Sequence, residues 1–191
     1  MRMDTQTVTY RDGDTELTGH FAWDAERAYK RPGILVVHGG AGLDSHAKER
    51  AKRLAELGFV VFACDMYGNG VAGNRERVMA RIAELRTDTA KLYGRARAGI
   101  EVLTAHPEVD GRIAAVGYCF GGMVVLEVAR SGANLAGAVS VHGTLSTARS
   151  ARAGMVGAKI LVCHGALDPH VPMAQVDAFV QEMNTQARTG N

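Results

Sequence analysis

The sequence predicts a doubly wound, mostly parallel α/β sheet led by an N-terminal β-hairpin. Three observations carry this. Short continuous apolar runs, Ile34-Leu35-Val36-Val37 foremost, suit strands buried on both faces. These runs alternate with stretches of helical periodicity, which supply the crossovers a parallel sheet needs. Asp12-Gly13-Asp14 separates two alternating segments, Thr5 to Arg11 and Glu16 to Trp23, and an Asp-Gly turn between such segments signals a hairpin.

After Ile34 to Val37, Asp44 or Ser45 can cap a helix running to about Leu57, with Gly58 as its stop. Phe59 to Ala63 is the next buried strand and leads into Asp65. Met66 to Gly73 is a Gly-rich loop. The pattern from Arg75 to Leu103 is helical, with a break expected near Leu85 to Asp88. Ile113 to Val116 forms a strand and Gly121 to Ala129 a buried helix. Ala136 to Val141 and Ile160 to Cys163 are further strands, and Met173 to about Asn184 is a last helix opened by Pro172. No internal repeat, low-complexity tract or linker intervenes, so residues 1–191 are expected to form one domain.

Composition narrows the function classes. Hydrophobic residues make up 47% and charged residues 22%, which excludes disordered and fibrous chains. The net charge is only +2, and the densest basic stretch, Arg75 to Arg97, is interrupted by Glu76, Glu84 and Asp88. Neither nucleic acid nor a membrane surface is an expected partner. No apolar stretch approaches a membrane span, and Met1 to Thr5 lacks the apolar run of a signal peptide. Cys64, Cys119 and Cys163 form no C-x-x-C pair, so neither a disulfide framework nor a zinc site is indicated. Free thiols suit a reducing cytoplasm. No metal or cofactor is expected.

In open parallel sheets, ligands bind beyond the carboxyl ends of the strands. That rule selects His38-Gly39-Gly40, Asp65, Cys119, His142 and His164 to Asp168. Gly117-Tyr118-Cys119-Phe120-Gly121-Gly122 follows a strand and opens an apolar helix, so it reads as a nucleophile elbow with cysteine in the serine position. The turn is tight enough to require small residues two before and two after the nucleophile. The helix start also directs N–H groups and a positive dipole end at the sulfur, which favours its anion. Asp168 ends a later strand, where the acid of a triad is expected in this chain order. Glycines at His38-Gly39-Gly40-Ala41-Gly42 allow backbone N–H groups to face an oxyanion. The natural donors are Phe120 N–H and one from Gly39 or Gly40.

Taken with the Asp65-Met66-Tyr67-Gly68 turn and His164 to Pro172, the elbow resembles the dienelactone hydrolase family over about Pro32 to Asn184. The resemblance implies an α/β-hydrolase fold and cleavage of small esters or lactones by a cysteine–histidine–aspartate triad. It implies Cys119 as nucleophile, Asp168 as acid, and Phe120 and Gly40 as oxyanion donors. The family often carries a glutamate where this chain has Gly39, and that carboxylate is linked to control of the thiol. Its catalytic histidine also lies one strand beyond the acid. Here only 23 residues follow Asp168, and the last histidine is His170. The polar tail, Thr185 to Asn191, reads as an ending or a frayed stub.

The chain is therefore expected either to be C-terminally incomplete, with the family's last strand and helix missing, or to lack the triad histidine. The alternative function is a non-catalytic binding protein of the same fold. A redox-sensing or glyoxalase-like cysteine protein is a third reading, disfavoured by the placement of Asp168. Of the strand-end histidines His38, His142 and His164, which read mainly as hydrogen-bonded supports, His142 is the best placed to act as base in place of the missing one. Arg86 and Tyr67 are expected, with His142, to line the substrate pocket. An unpaired strand at Ile160 to Cys163 would be an apolar sheet edge, which predicts a homodimer or swapped contact there.

Overall fold

A computed structural model describes residues 1–188. Its elements are β1 (Met3–Asp12), β2 (Thr15–Asp24), β3 (Arg31–Val37), α1 (Ser45–Glu56), β4 (Val60–Cys64), α2 (Arg75–Thr87), α3 (Thr89–Thr104), β5 (Val109–Tyr118), α4 (Phe120–Arg130), β6 (Gly137–Val141), β7 (Lys159–Cys163) and α5 (Met173–Arg188). The strands form one seven-stranded sheet in the order β1-β2-β4-β3-β5-β6-β7. β1 and β2 pair antiparallel as the expected hairpin, and β2 joins β4 antiparallel. The remaining neighbours are parallel.

Strand periodicity decides which helix each residue meets. On β3, Leu35 and Val37 pack with Leu92 and Ala96 of α3 and with Met123, Val124 and Val128 of α4. Ile34 and Val36 point the other way, to Ala51 and Ala55 of α1. Both faces of the central strands are thus covered, as their unbroken apolar sequence requires. α5 joins the α4 side, where Leu126, Leu145, Val171 and Phe179 form a smaller core with Ile160 and Val162 of β7.

The helix boundaries have local causes. The Asp44 carboxylate accepts the Ala47 N–H at 3.0 Å and so caps α1. The expected break of the long helical stretch falls at Asp88, which ends α2 and caps α3 by accepting the Lys91 N–H at 2.9 Å.

At the far edge, β7 pairs with β6 alone among the described residues. Ile160 and Val162 are half-buried, while Lys159, Leu161 and Cys163 are exposed. The expected apolar edge is present, with Leu161 55% exposed. The tail differs from expectation in part. Residues 185–188 continue α5, and residues 189–191 lie outside the described residues.

Candidate active site

Strand order reverses direction around β3, between its neighbours β4 and β5, so the carboxyl ends of β3 and β5 flank a natural crevice. Register aligns Val37 with Gly117, which sets His38-Gly39-Gly40 beside the turn that follows β5. Cys119 occupies that turn with φ 53° and ψ −111°. A cysteine at positive φ is strained by about 1–3 kcal/mol and persists only where its surroundings impose it. Here they do. A Cβ on Gly117 would lie 1.9 Å from the Gly121 carbonyl oxygen, so α4 starts directly against the end of β5. The Cys119 N–H is taken by the Val141 carbonyl at 2.9 Å. The side chain is left exposed, whereas Cys64 is fully buried and burial pushes its thiol pKa up.

Phe120 is the first residue of α4, so its N–H has no acceptor within the helix. Gly40, Cys119 and Phe120 line one cavity of about 850 Å³. Beneath it, the fully buried His38 holds the loop after β3. Its Nδ1 contacts the Gly39 carbonyl at 2.7 Å, and its Nε2 accepts the Met66 N–H at 3.1 Å. The Asp65 carboxylate accepts the N–H groups of Tyr67 and Gly68 at 2.8 and 3.1 Å, so it caps its own turn. A Cβ at Gly39 would sit 4.0 Å from the Cys119 Cβ and 3.6 Å from the Tyr118 oxygen. A side chain at position 39 would thus lie against the cysteine, and this chain has none there.

Arg86 lines the cavity and donates to the Thr144 hydroxyl at 3.4 Å. The neighbouring Glu84 is instead occupied by Arg81 and Lys91. Met79, Ile82 and Arg86 lie on one face of α2 at intervals of three and four residues, and all three line the cavity. Sequence reasoning passed over the first two, although that spacing signals them. His142 also lines the cavity.

Tyr67 does not. It is fully buried under the loop, donating its hydroxyl to the Gly40 carbonyl at 3.1 Å and packing on the His38 and Phe120 rings. Its aromatic bulk is better accommodated in the core than at the open strand end. Burial first, then the neighbouring Cys119 and Asp65, push its hydroxyl pKa up. Tyr67 supports the loop after β3 and does not line this cavity.

Asp168 stands after β7 with its side chain 5% exposed. One oxygen accepts the His170 N–H at 2.9 Å. The other meets His142 Nδ1 at 2.5 Å. The His170 N–H holds the carboxyl below the usual carboxylate range, burial opposes this, and the His142 ring adds to the lowering. His170 itself lines the cavity. Among the described residues, no group of three or more His, Cys, Asp or Glu side chains is arranged to hold a metal ion.

The chain is similar to known proteins over most of its length. The model of the dienelactone hydrolase family matches residues 19–189. A dienelactone hydrolase-like promiscuous phosphotriesterase from metagenomic libraries is 41% identical, with a TM-score of 0.93 over 98% of this chain and 79% of that one. The solved structure of m3DLH is 40% identical, with a TM-score of 0.91 over 97% of this chain and 78% of that one. A putative carboxymethylenebutenolidase of Methylorubrum extorquens is 23% identical over 83% of this chain, and the match spans 58% of that relative. The chain thus spans little more than half the length of that curated relative. The elbow, the sheet order and the family match lead to one conclusion: the chain belongs to the dienelactone hydrolase family.

Proposed function

We propose that this chain hydrolyses small esters or lactones of the dienelactone type through a thioester on Cys119. The carrying observation is a strained, solvent-open cysteine at a strand-to-helix turn, facing a cavity of about 850 Å³. The sulfur attacks the carbonyl carbon and the carbonyl electrons move to oxygen. The N–H groups of Phe120 and Gly40 stabilise the oxyanion. Its collapse expels the alcohol portion, which in a lactone stays tethered to the acyl chain. Water then cleaves the thioester and frees the acid. Met79, Ile82 and Met123 give the cavity an apolar wall, while Arg86 offers a guanidinium to a substrate carboxylate. Relatives described as carboxymethylenebutenolidase and promiscuous phosphotriesterase support a test panel of a lactone, an aryl ester and a phosphotriester.

Replacing Cys119 by alanine is expected to lower kcat/KM for an aryl ester by about 10⁶-fold, the scale on which removal of a nucleophile acts. The variant should keep the thermal midpoint of the parent within a few degrees. Undiminished hydrolysis by Cys119→Ala would refute the nucleophile assignment. Binding of the panel with no turnover by the parent chain would favour the non-catalytic reading.

The exposed β7 edge supports pairing with a second copy. Leu161→Lys is expected to shift a concentration-dependent dimer toward monomer in sedimentation velocity. A parent chain that stays monomeric at high concentration would contradict this.

A further inference from the structure

A second concave site lies outside the catalytic cavity, between α3 and the end of α4. Tyr93, Arg97, Ile100 and Thr104 recur every three or four residues of α3 and so share one face, which lines a cavity of about 550 Å³. Ile113 of β5, Val128 of α4 and Ala133 beyond it form the facing wall. Along α3 the lining runs from Ala90 to Thr104, a length of about 20 Å at the rise of an α-helix. Among the described residues, Arg97 is the one charged side chain on these walls, and it pairs with Glu101 at 3.5 Å.

Tyr93 and Ser131 also line a neighbouring cavity of about 360 Å³, so the two spaces join. The chemistry changes there from apolar to cationic, with Arg130, Arg149 and Arg152 on the walls. Arg130 is committed to Glu127 and Glu182, and that group carries one net negative charge. The guanidinium groups of Arg149 and Arg152 have no hydrogen-bond or ion-pair partner among the described residues. Together they more than offset the acidic excess and leave one positive charge over. Burial raises the Tyr93 hydroxyl pKa and Glu127 adds to the rise, while Arg149 and Arg130 oppose it. Both guanidinium groups thus lie within electrostatic reach of the junction. The backbone between Arg149 and Arg152 is tied down: Ala151 donates its N–H to Glu182 at 3.1 Å, and its carbonyl accepts from Gln186 at 3.0 Å. A solvated surface would explain either arginine alone. It would not explain two unpartnered guanidinium groups on a fixed segment where an apolar groove opens.

We infer that the joined cavities are a second binding site, for an aliphatic monocarboxylate. Arg149 and Arg152 take the carboxylate by charge-assisted hydrogen bonds, and the extended tail lies along α3 against Ile100, Ile113 and Val128. A monoanion matches the single positive charge in excess, whereas a dianion would leave charge uncompensated. The long apolar groove suits an extended chain and offers nothing to a small polar anion. Every residue that lines the site lies between Ala90 and Met155, and none of them lines the catalytic cavity. Binding there is therefore independent of Cys119.

Methionine methyl groups report on the two cavities separately, because Met155 lines the arginine cavity while Met79 and Met123 line the catalytic one. The full chain, labelled with ¹³C at the methionine methyls, is titrated with decanoate below its micelle concentration and followed by NMR. The Met155 methyl should shift saturably. In the double variant Arg149→Ala/Arg152→Ala the decanoate affinity read at Met155 should fall about tenfold or more, the scale of hydrogen bonds to charged groups. Both arginines are exposed, so the variant should keep the parent's thermal midpoint. On the parent chain, acetate has the head without the tail and decyltrimethylammonium has the tail with the opposite charge. Each should bind at least tenfold more weakly than decanoate at Met155. No saturable shift at Met155, or shifts confined to Met79 and Met123, would overturn the site. An unchanged affinity in the double variant, or equal binding of decyltrimethylammonium, would overturn the carboxylate assignment, and equal binding of acetate would overturn the groove for the tail.

Discussion

Gly121→Ala is expected to abolish esterase activity and to lower the thermal midpoint. A Cβ at this position would lie 2.3 Å from the Val37 carbonyl oxygen and 2.6 Å from that of His38. Both atoms are backbone, so no rotamer change relieves the clash. α4 must move away from β3, or the loop carrying Gly39 and Gly40 must move away from the elbow. Overpacking of a tight core contact costs roughly 1–3 kcal/mol and occasionally more. For a chain of this size each kcal/mol lowers the midpoint by about 2–4 °C. The activity loss should exceed what instability explains, because the same displacement separates Phe120 N–H from Gly40. Gly39→Ala is the contrasting variant. Its Cβ would find its nearest neighbour at 3.6 Å, an ordinary contact, and the fold should tolerate it. A Gly121→Ala protein with the parent's midpoint and activity would contradict the packing described here.

The second large effect is expected at Arg130. Its guanidinium is almost fully buried and pairs with Glu127 at 2.8 Å on its own helix and with Glu182 of α5 at 2.8 Å. It also donates to the Leu145 carbonyl at 2.8 Å and lies over the Phe179 ring at 5.3 Å. Arg130→Ala leaves two carboxylates facing each other with little water. Removing one partner from such a buried group costs about 3–5 kcal/mol, which chemical denaturation can read directly. Replacing all three charges with apolar residues of similar volume should cost less than the single change, since no charge is then stranded.

The pH dependence has a definite sign. Burial alone would raise the Glu182 carboxyl, but Arg130 and the Ala151 N–H outweigh it and hold its pKa below the usual glutamate range. A carboxyl depressed on folding stabilises fully above its unfolded pKa. Its contribution fades as pH falls through the lower folded value. The docking of α5 on α4 should therefore weaken as the solution is made acidic.

Much of this architecture was legible in the sequence. The hairpin follows from alternation about Asp12-Gly13-Asp14, and the division of the long helical stretch from the capping residue Asp88. The elbow was readable because Gly117 and Gly121 are demanded by backbone approach, a constraint that leaves a mark in sequence. Arg86 was reachable as the one arginine beside the helix break, and it does line the cavity. What was not legible depends on how distant loops settle. Tyr67 follows a strand end, where an aromatic residue can face either the cavity or the core, and only the packing of His38 and Phe120 decides. The approach of Asp168 to His142 brings together the ends of β6 and β7 and has no local signature. The Glu127–Arg130–Glu182 group had one sequence signal, two charges three apart in an otherwise apolar helix, but its third member comes from α5.

The most direct measurement is the site of acylation. The protein, mixed with excess p-nitrophenyl acetate and quenched in acid within the first turnover, can be digested and mapped by mass spectrometry. One acetyl group is expected on the peptide carrying Cys119, absent from Cys119→Ala, with the exposed Cys163 unmodified. Hydrolysis proceeding with no acyl group on Cys119, or with acylation elsewhere, would contradict the assignment of this cysteine as the nucleophile.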